Sequence, residues 1–162
     1  MLESEIQDTL NLHIKKIPPD NYNQMVIIEV VLMTVQFWPL DSVPEDGFSL
    51  KKRLSSIRKS HSDLFSLFDE KMVRLSQPGA TVESLGASYS NKMTGHSGIS
   101  ELRIPPSRRG GVGRYYYCNH PKETDTIVIL DAEAKANGKA TASRTILKAC
   151  DSRYRAIQAT KL

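Results

Sequence analysis

Apolar residues recur every fourth position at the front of the chain, at Leu2, Ile6, Leu10 and Ile14. This spacing predicts a short amphipathic helix over residues 2–16, closed by Lys15 and Lys16 and stopped by Pro18 and Pro19. Residues 25–38, MVIIEVVLMTVQFW, are dense in Val and Ile and predict a strand. Its length requires a bend or break near Met33. Leu50, Leu54 and Ile57 then share one face of a predicted helix over 49–60. Leu64, Phe65, Phe68, Met72 and Leu75 form the stripe of another over 62–75, ended by Pro78-Gly79. Together they predict a helical hairpin that lies on a sheet.

From there the period shortens. Residues 81–91 predict loop or a short turn of helix. Strands follow over 99–104, 113–118 and 126–132, joined by the turns PPSRRGG and NHPKETD. A last helix covers 141–158, with Ala142, Ile146, Ala149, Tyr154 and Ile157 as its expected buried face. The order of strand, two helices, three strands and helix predicts an α+β fold: an antiparallel sheet with helices packed on one side. Residues 34–162 then form the main domain. Residues 1–33 are an N-terminal extension of helix plus strand. The extension either covers a sheet edge or docks a partner, and the first reading needs only ordinary packing.

Composition changes this picture little. With 162 residues, 40% hydrophobic and 25% charged, the chain is long enough to bury a normal core. Cys118 and Cys150 form no CxxC pair and have no histidine at metal-ligand spacing, so neither a zinc site nor a disulfide scaffold is expected. No cofactor is called for, and the thiols fit a reducing cytoplasm. The longest apolar run, residues 25–35, contains Glu29 and is too short to cross a membrane.

Charge is more informative. Residues 1–84 carry nine Lys/Arg and twelve Asp/Glu, whereas residues 85–162 carry thirteen and six. A polyanion would prefer the second part. That part also places an arginine in each of two neighbouring strands, Arg103 in SELRI and Arg114 in RYYY, with Arg108 and Arg109 in the turn between them. Strand alternation puts Arg103 with Glu101, away from Leu102 and Ile104, and Arg114 with Tyr116 and Cys118, away from Tyr115 and Tyr117. If the two arginines share a side of the sheet, they form either a phosphate clamp or a pair bonded to Glu101 or to the last helix. RNA is the first partner this suggests. Tyr116 is placed to stack on a base or to act as an acid, while His96 and His120 fall in loops.

Several segments taken in order resemble the RelE/HigB superfamily of bacterial toxins, especially its phage-derived HigB-like branch. FDEKMVRLSQPG is similar to the family's second helix and its closing turn. NKMTGHSGISELRI is similar to a lysine, small loop and Glu-Leu-Arg strand. GVGRYYYC is similar to the following strand, and DTIVILDAEAKANGKATASRTILKAC to the last strand, basic loop and helix. The resemblance spans residues 34–158. It implies a RelE-like microbial RNase fold and a metal-independent endoribonuclease that cuts mRNA on the ribosome. It also implies a toxin restrained by a HigA-like helix-turn-helix antitoxin. In that reading Lys92 is a base or a phosphate contact, Arg103 and Arg114 hold the phosphate, and Tyr116 assists. Lys135 and Lys139 of the basic loop then join Arg108 and Arg109 in gripping RNA backbone.

The chain also departs from the family pattern. Where the family often has an aromatic or histidine near the basic loop, this chain has LDAEAKANG, with Asp131 and Glu133 adding negative charge. That leaves the general acid unassigned. It gives weight to a second reading, a catalytically inactive RNA-binding or regulatory module on the same fold. A third reading is a protein-interaction domain for an acidic partner.

Overall fold

A computed structural model describes residues 32–86, 90–105, 111–136 and 141–160. The helix expected over 2–16 and the strand residues 25–31 lie outside the described residues, as do Arg108, Arg109 and Lys139. The chain folds as α+β. Strand β1 (Thr34–Phe37) leads to helices α1 (Leu50–Ser60) and α2 (Ser62–Leu75). A short 3-10 turn, Glu83–Leu85, precedes β2 (Ser90–Lys92), β3 (Ser100–Ile104), β4 (Val112–Asn119) and β5 (Thr126–Lys135), and α3 (Arg144–Ala159) follows.

Ser49 caps α1 by accepting a hydrogen bond from the Lys52 amide, and Ser143 caps α3 through the Ile146 amide. The expected stripes of α1 and α2 are on the inside, with Leu50, Ile57, Leu64, Phe68 and Leu75 all buried. In α3 the buried line is Leu147, Cys150, Arg153 and Ile157. Ile157 of the expected stripe belongs to it, and Ala142, Ile146 and Tyr154 pack half-buried against the core beside it, while the most buried line also takes in an arginine and a cysteine that the stripe left out.

The sheet has the order β1-β5-β4-β3-β2. It is mixed rather than antiparallel, since β1 pairs parallel with β5 while the other pairs are antiparallel. The helical hairpin carries the chain from β1 back over the sheet, so β1 and the last strand end side by side in the same direction.

Helices cover both sides, which corrects the expectation of one. Phe68 of α2 stacks on Tyr115 with ring centroids 3.8 Å apart. The next residue, Tyr116, points the opposite way and donates to Glu133, whose carboxylate also accepts from the Ser143 amide at the start of α3. β4 is buried from Val112 to Cys118, which a sheet covered on one side only would not allow.

A bulge between Tyr116 and Tyr117 sets the register of β5. Tyr117 lies opposite Ile129 and Tyr116 opposite Asp131, so Leu130 is the extra residue. The shift turns Asp131, Glu133 and Lys135 toward the α3 side and leaves Ala132 with the apolar face.

Both cysteines are free and buried. Burial pushes the Cys118 thiol up to about 12 and raises Cys150 as well, with the Asp131 charge adding to the effect at Cys150. Their folded pKa values lie above the unfolded thiol value of about 8.5. The stability they contribute is therefore complete below that value and is lost as pH rises through the alkaline range, where the unfolded chain binds fewer protons. Native protein should resist alkylation at pH 8.5 and react fully once denatured. Its urea midpoint should fall from pH 8.5 upward, and less steeply in a Cys118→Ala, Cys150→Ala variant.

Candidate functional site

The register brings part of the expected site together. Arg103 and Arg114 are direct cross-strand partners, so they share a face, and Glu101 lies opposite Tyr116 on the same face. Arg103 Nη2 donates to Glu101 Oε1 at 2.7 Å and Arg114 Nη1 donates to Glu101 Oε2 at 2.5 Å. Each carboxylate oxygen thus holds one guanidinium. Glu101 is 2% exposed and Arg114 6%, while the Arg103 side chain retains 18%. Of the two arrangements the sequence left open, this is the pair bonded to Glu101. Arg103 is its outer member.

Beside it lies a second cluster. The Tyr116 hydroxyl donates to Glu133 Oε1 at 2.5 Å. Lys135 Nζ approaches Glu133 Oε2 at 3.3 Å and donates to the Thr141 carbonyl at 2.6 Å. Tyr116 has no exposed surface, so its ring is not offered to a base for stacking. Burial, and then the bond to Glu133, push its hydroxyl far above the ordinary value. Lys135, expected to grip RNA, is engaged within the protein.

Lys92 is not part of this arrangement. It pairs with Ser100, and Ser100 pairs with Tyr117, so Lys92 stands on the side of Leu102 and Tyr115. There it lines a groove of about 710 Å³ with Ser90, Ser100, Tyr117 and His120. A three-residue strand without apolar pattern gave no warning of this.

The histidines serve local structure. His96 Nδ1 lies 2.7 Å from Asp151 Oδ2 and ties the β2–β3 loop to α3. Gly98 of that loop has φ +82, and a Cβ there would come within 2.4 Å of the Tyr154 ring. His120 Nδ1 accepts from the Lys122 and Glu123 amides, so the ring closes the β4–β5 turn.

Sequence reasoning missed the role of Arg153. It is 5% exposed and donates from Nε to Asp46 at 2.7 Å, and from Nη1 to Asp131 at 2.9 Å and to the Leu130 carbonyl at 3.0 Å. Its guanidinium lies 3.9 Å from the Phe48 ring centroid and 5.9 Å from that of Trp38. Burial alone would raise the Asp46 pKa, but bonds from Arg153, the Trp38 indole and the Phe48 amide outweigh it and hold the value low. An arginine one helical turn from Ile157 is the only hint the sequence carried.

The chemistry of the face is therefore a row of carboxylates and guanidiniums, Arg103–Glu101–Arg114 and Tyr116–Glu133–Lys135, at the end of the sheet from which the β3–β4 and β5–α3 connections leave. Within the row both Glu101 oxygens and the Tyr116 hydroxyl are bonded to other members, and Arg103 is the member that reaches the surface. Among the described residues no group of His, Cys, Asp and Glu could hold a metal ion, and no helix is long and apolar enough to cross a membrane. Comparison with protein-family models, curated proteins and solved structures finds no match to this chain.

Adjacent tyrosines give a direct test of the polar face. The Tyr115 hydroxyl is buried with no hydrogen-bond partner, whereas that of Tyr116 bonds Glu133. Tyr115→Phe should leave stability unchanged or raise it. Tyr116→Phe should cost about 1–3 kcal/mol, because a buried carboxylate loses its donor. Urea denaturation of the two variants reads the difference, and equal effects would contradict the geometry.

Proposed function

We propose that this chain is a metal-independent endoribonuclease of the RelE/HigB kind, the toxin of a type II toxin–antitoxin system. Its substrate is mRNA, its platform the ribosome, and its restraint a HigA-like helix-turn-helix antitoxin. The observation that carries the reading is the seat of Glu101 between Arg103 and Arg114. Cleaving RNA without metal needs an acceptor for the 2′-hydroxyl proton and cations for the charge gathering on phosphorus. A carboxylate between two guanidiniums on neighbouring strands supplies both. Glu101, rather than Lys92, is then the base, and the two arginines bind the phosphate. Arg103, the more exposed arginine, exchanges one carboxylate oxygen for a phosphate oxygen when substrate arrives.

The element order of strand, helical hairpin, strands and helix supports a RelE-like microbial RNase fold for residues 34–160. Tyr116, held by Glu133, positions the strand that carries Arg114. A second reading has a specific observation in its favour. Glu101 is 2% exposed with both oxygens bonded, which suits a catalytically inactive RNA-binding or regulatory module as readily.

Induction in bacteria with mapping of mRNA 5′ ends separates the two. The nuclease reading expects new 5′ ends and growth arrest. Both should fall by roughly 10²–10⁴ in cleavage rate for Glu101→Gln and for Arg103→Ala. The silent-module reading expects no new ends with the parent chain. Full cleavage by both variants would remove Glu101 and Arg103 from the chemistry.

A further inference from the structure

We infer that the outward face of α1 is a docking surface for the phosphate backbone of folded RNA. The inward-turned Arg53 of this helix reaches Asp131 of β5 at 3.8 Å, and the other four basic residues of the helix are exposed. Its sequence, LKKRLSSIRKS, holds five basic residues and no acidic one among eleven. The excess was hidden in the sequence because acidic residues elsewhere give the first 84 positions a negative balance. The helix fixes where these charges point. Leu50 and Ile57 are buried against the body of the protein, while Lys51, Lys52, Ser55, Ser56, Arg58, Lys59 and Ser60 are exposed.

Three observations distinguish this face from an ordinary solvated one. First, among the described residues Lys51, Lys52, Arg58 and Lys59 make no ion pair, although α2 carries Asp63, Asp69 and Glu70 close by in the chain. Arg58 rests over the Phe65 ring, 5.8 Å from its centroid, which orients the guanidinium without neutralising it. Second, Lys51 and Lys52 stand in the first turn, the end where the helix dipole disfavours cations, and no acid offsets them there. Helix stability does not account for that placement, and binding an anion does. Third, the exposed residues are all lysine, arginine or serine. A protein partner needs an apolar or aromatic centre to anchor on, and this face presents none. Cations with interspersed hydroxyls match phosphate oxygens instead. From Lys51 to Lys59 the strip is roughly 12 Å long, and the packed helix holds it rigid.

The surface deepens the RNA-directed reading and rests on it only for the choice of polyanion. It separates grip from chemistry, since among the described residues Lys51, Lys52, Arg58 and Lys59 of α1 make no hydrogen bond or ion pair with the Arg103–Glu101–Arg114 row. The test uses the full chain and a fluorescent RNA hairpin, with anisotropy measured from low to moderate salt. Lys51→Gln, Lys52→Gln, Arg58→Gln and Lys59→Gln are combined in one variant, and Ser55→Glu is made separately as a single exposed change. Thermal melts check that both fold.

Binding should weaken for both, and equally for hairpins of unrelated sequence. The slope of log affinity against log salt should become shallower by about 0.7–0.9 for each lost phosphate contact. An unchanged slope and affinity in the two variants would overturn the proposal, whatever acidic proteins the parent binds. Cleavage of a short single-stranded RNA, measured in parallel, should be unaffected by either variant. Loss of cleavage there with unchanged hairpin affinity would also overturn it. Absence of cleavage by the parent itself bears on Glu101 and leaves the salt slope as the measure of α1.

Discussion

Charge burial on one side of the sheet is the constraint around which this fold is arranged. Glu101, Asp131 and Glu133 are all buried, and each is met by a cation: Arg103 and Arg114, Arg153, and Lys135 respectively. Removing one member leaves its partner desolvated and uncompensated, which typically costs about 3–5 kcal/mol. Helix α3 is therefore seated on β4 and β5 by matching charge as much as by apolar contact. Arg153 fixes its middle against Asp46 and Asp131, and Glu133 receives its first amide. The other side is a conventional apolar layer, with Phe68 on Tyr115 at its centre.

The two sides differ in how plainly they could be read from sequence. The hairpin was legible almost to the residue, because Leu50, Ile57, Leu64, Phe68 and Leu75 carry a clean helical period and Ser49 supplies a cap. The phase of α3 was not, since a buried Arg153 looks like an outward charge until Asp46 and Asp131 are known to reach it. Strand β2 was missed because three residues of polar sequence leave no pattern. The antiparallel, single-sided sheet expected from element order failed for a topological reason. Nothing local to β1 reveals that it returns beside β5, and nothing local to α3 reveals which side it takes.

The site divides along the same line. Alternation alone put Arg103 with Glu101 in one strand and Arg114 with Tyr116 in the next, and left open whether the two pairs share a side, which the register then settled. The hold of Glu101 on both guanidiniums depends on cross-strand distances and was only one of two open arrangements. The separation of Lys92 from the arginines follows from the pairing of β2, for which there was no signal. Glu133 had appeared only as unwelcome negative charge near the basic loop, yet it receives both Tyr116 and the start of α3. A reading of candidate residues one at a time could not find groups whose role is to hold one another.

The extra residue in β5 has a consequence for how this sequence can drift. Upstream of Leu130 even-numbered positions of the strand face α3, and downstream of it the odd-numbered ones do. Point changes at most sites alter one side chain. Losing the single codon for Ala132, just past the bulge, would turn every following position by half a turn, driving Glu133 into the hydrocarbon layer and Ala134 toward the α3 side. Descendants of this chain are therefore freer to vary the letters of the strand than to vary its count.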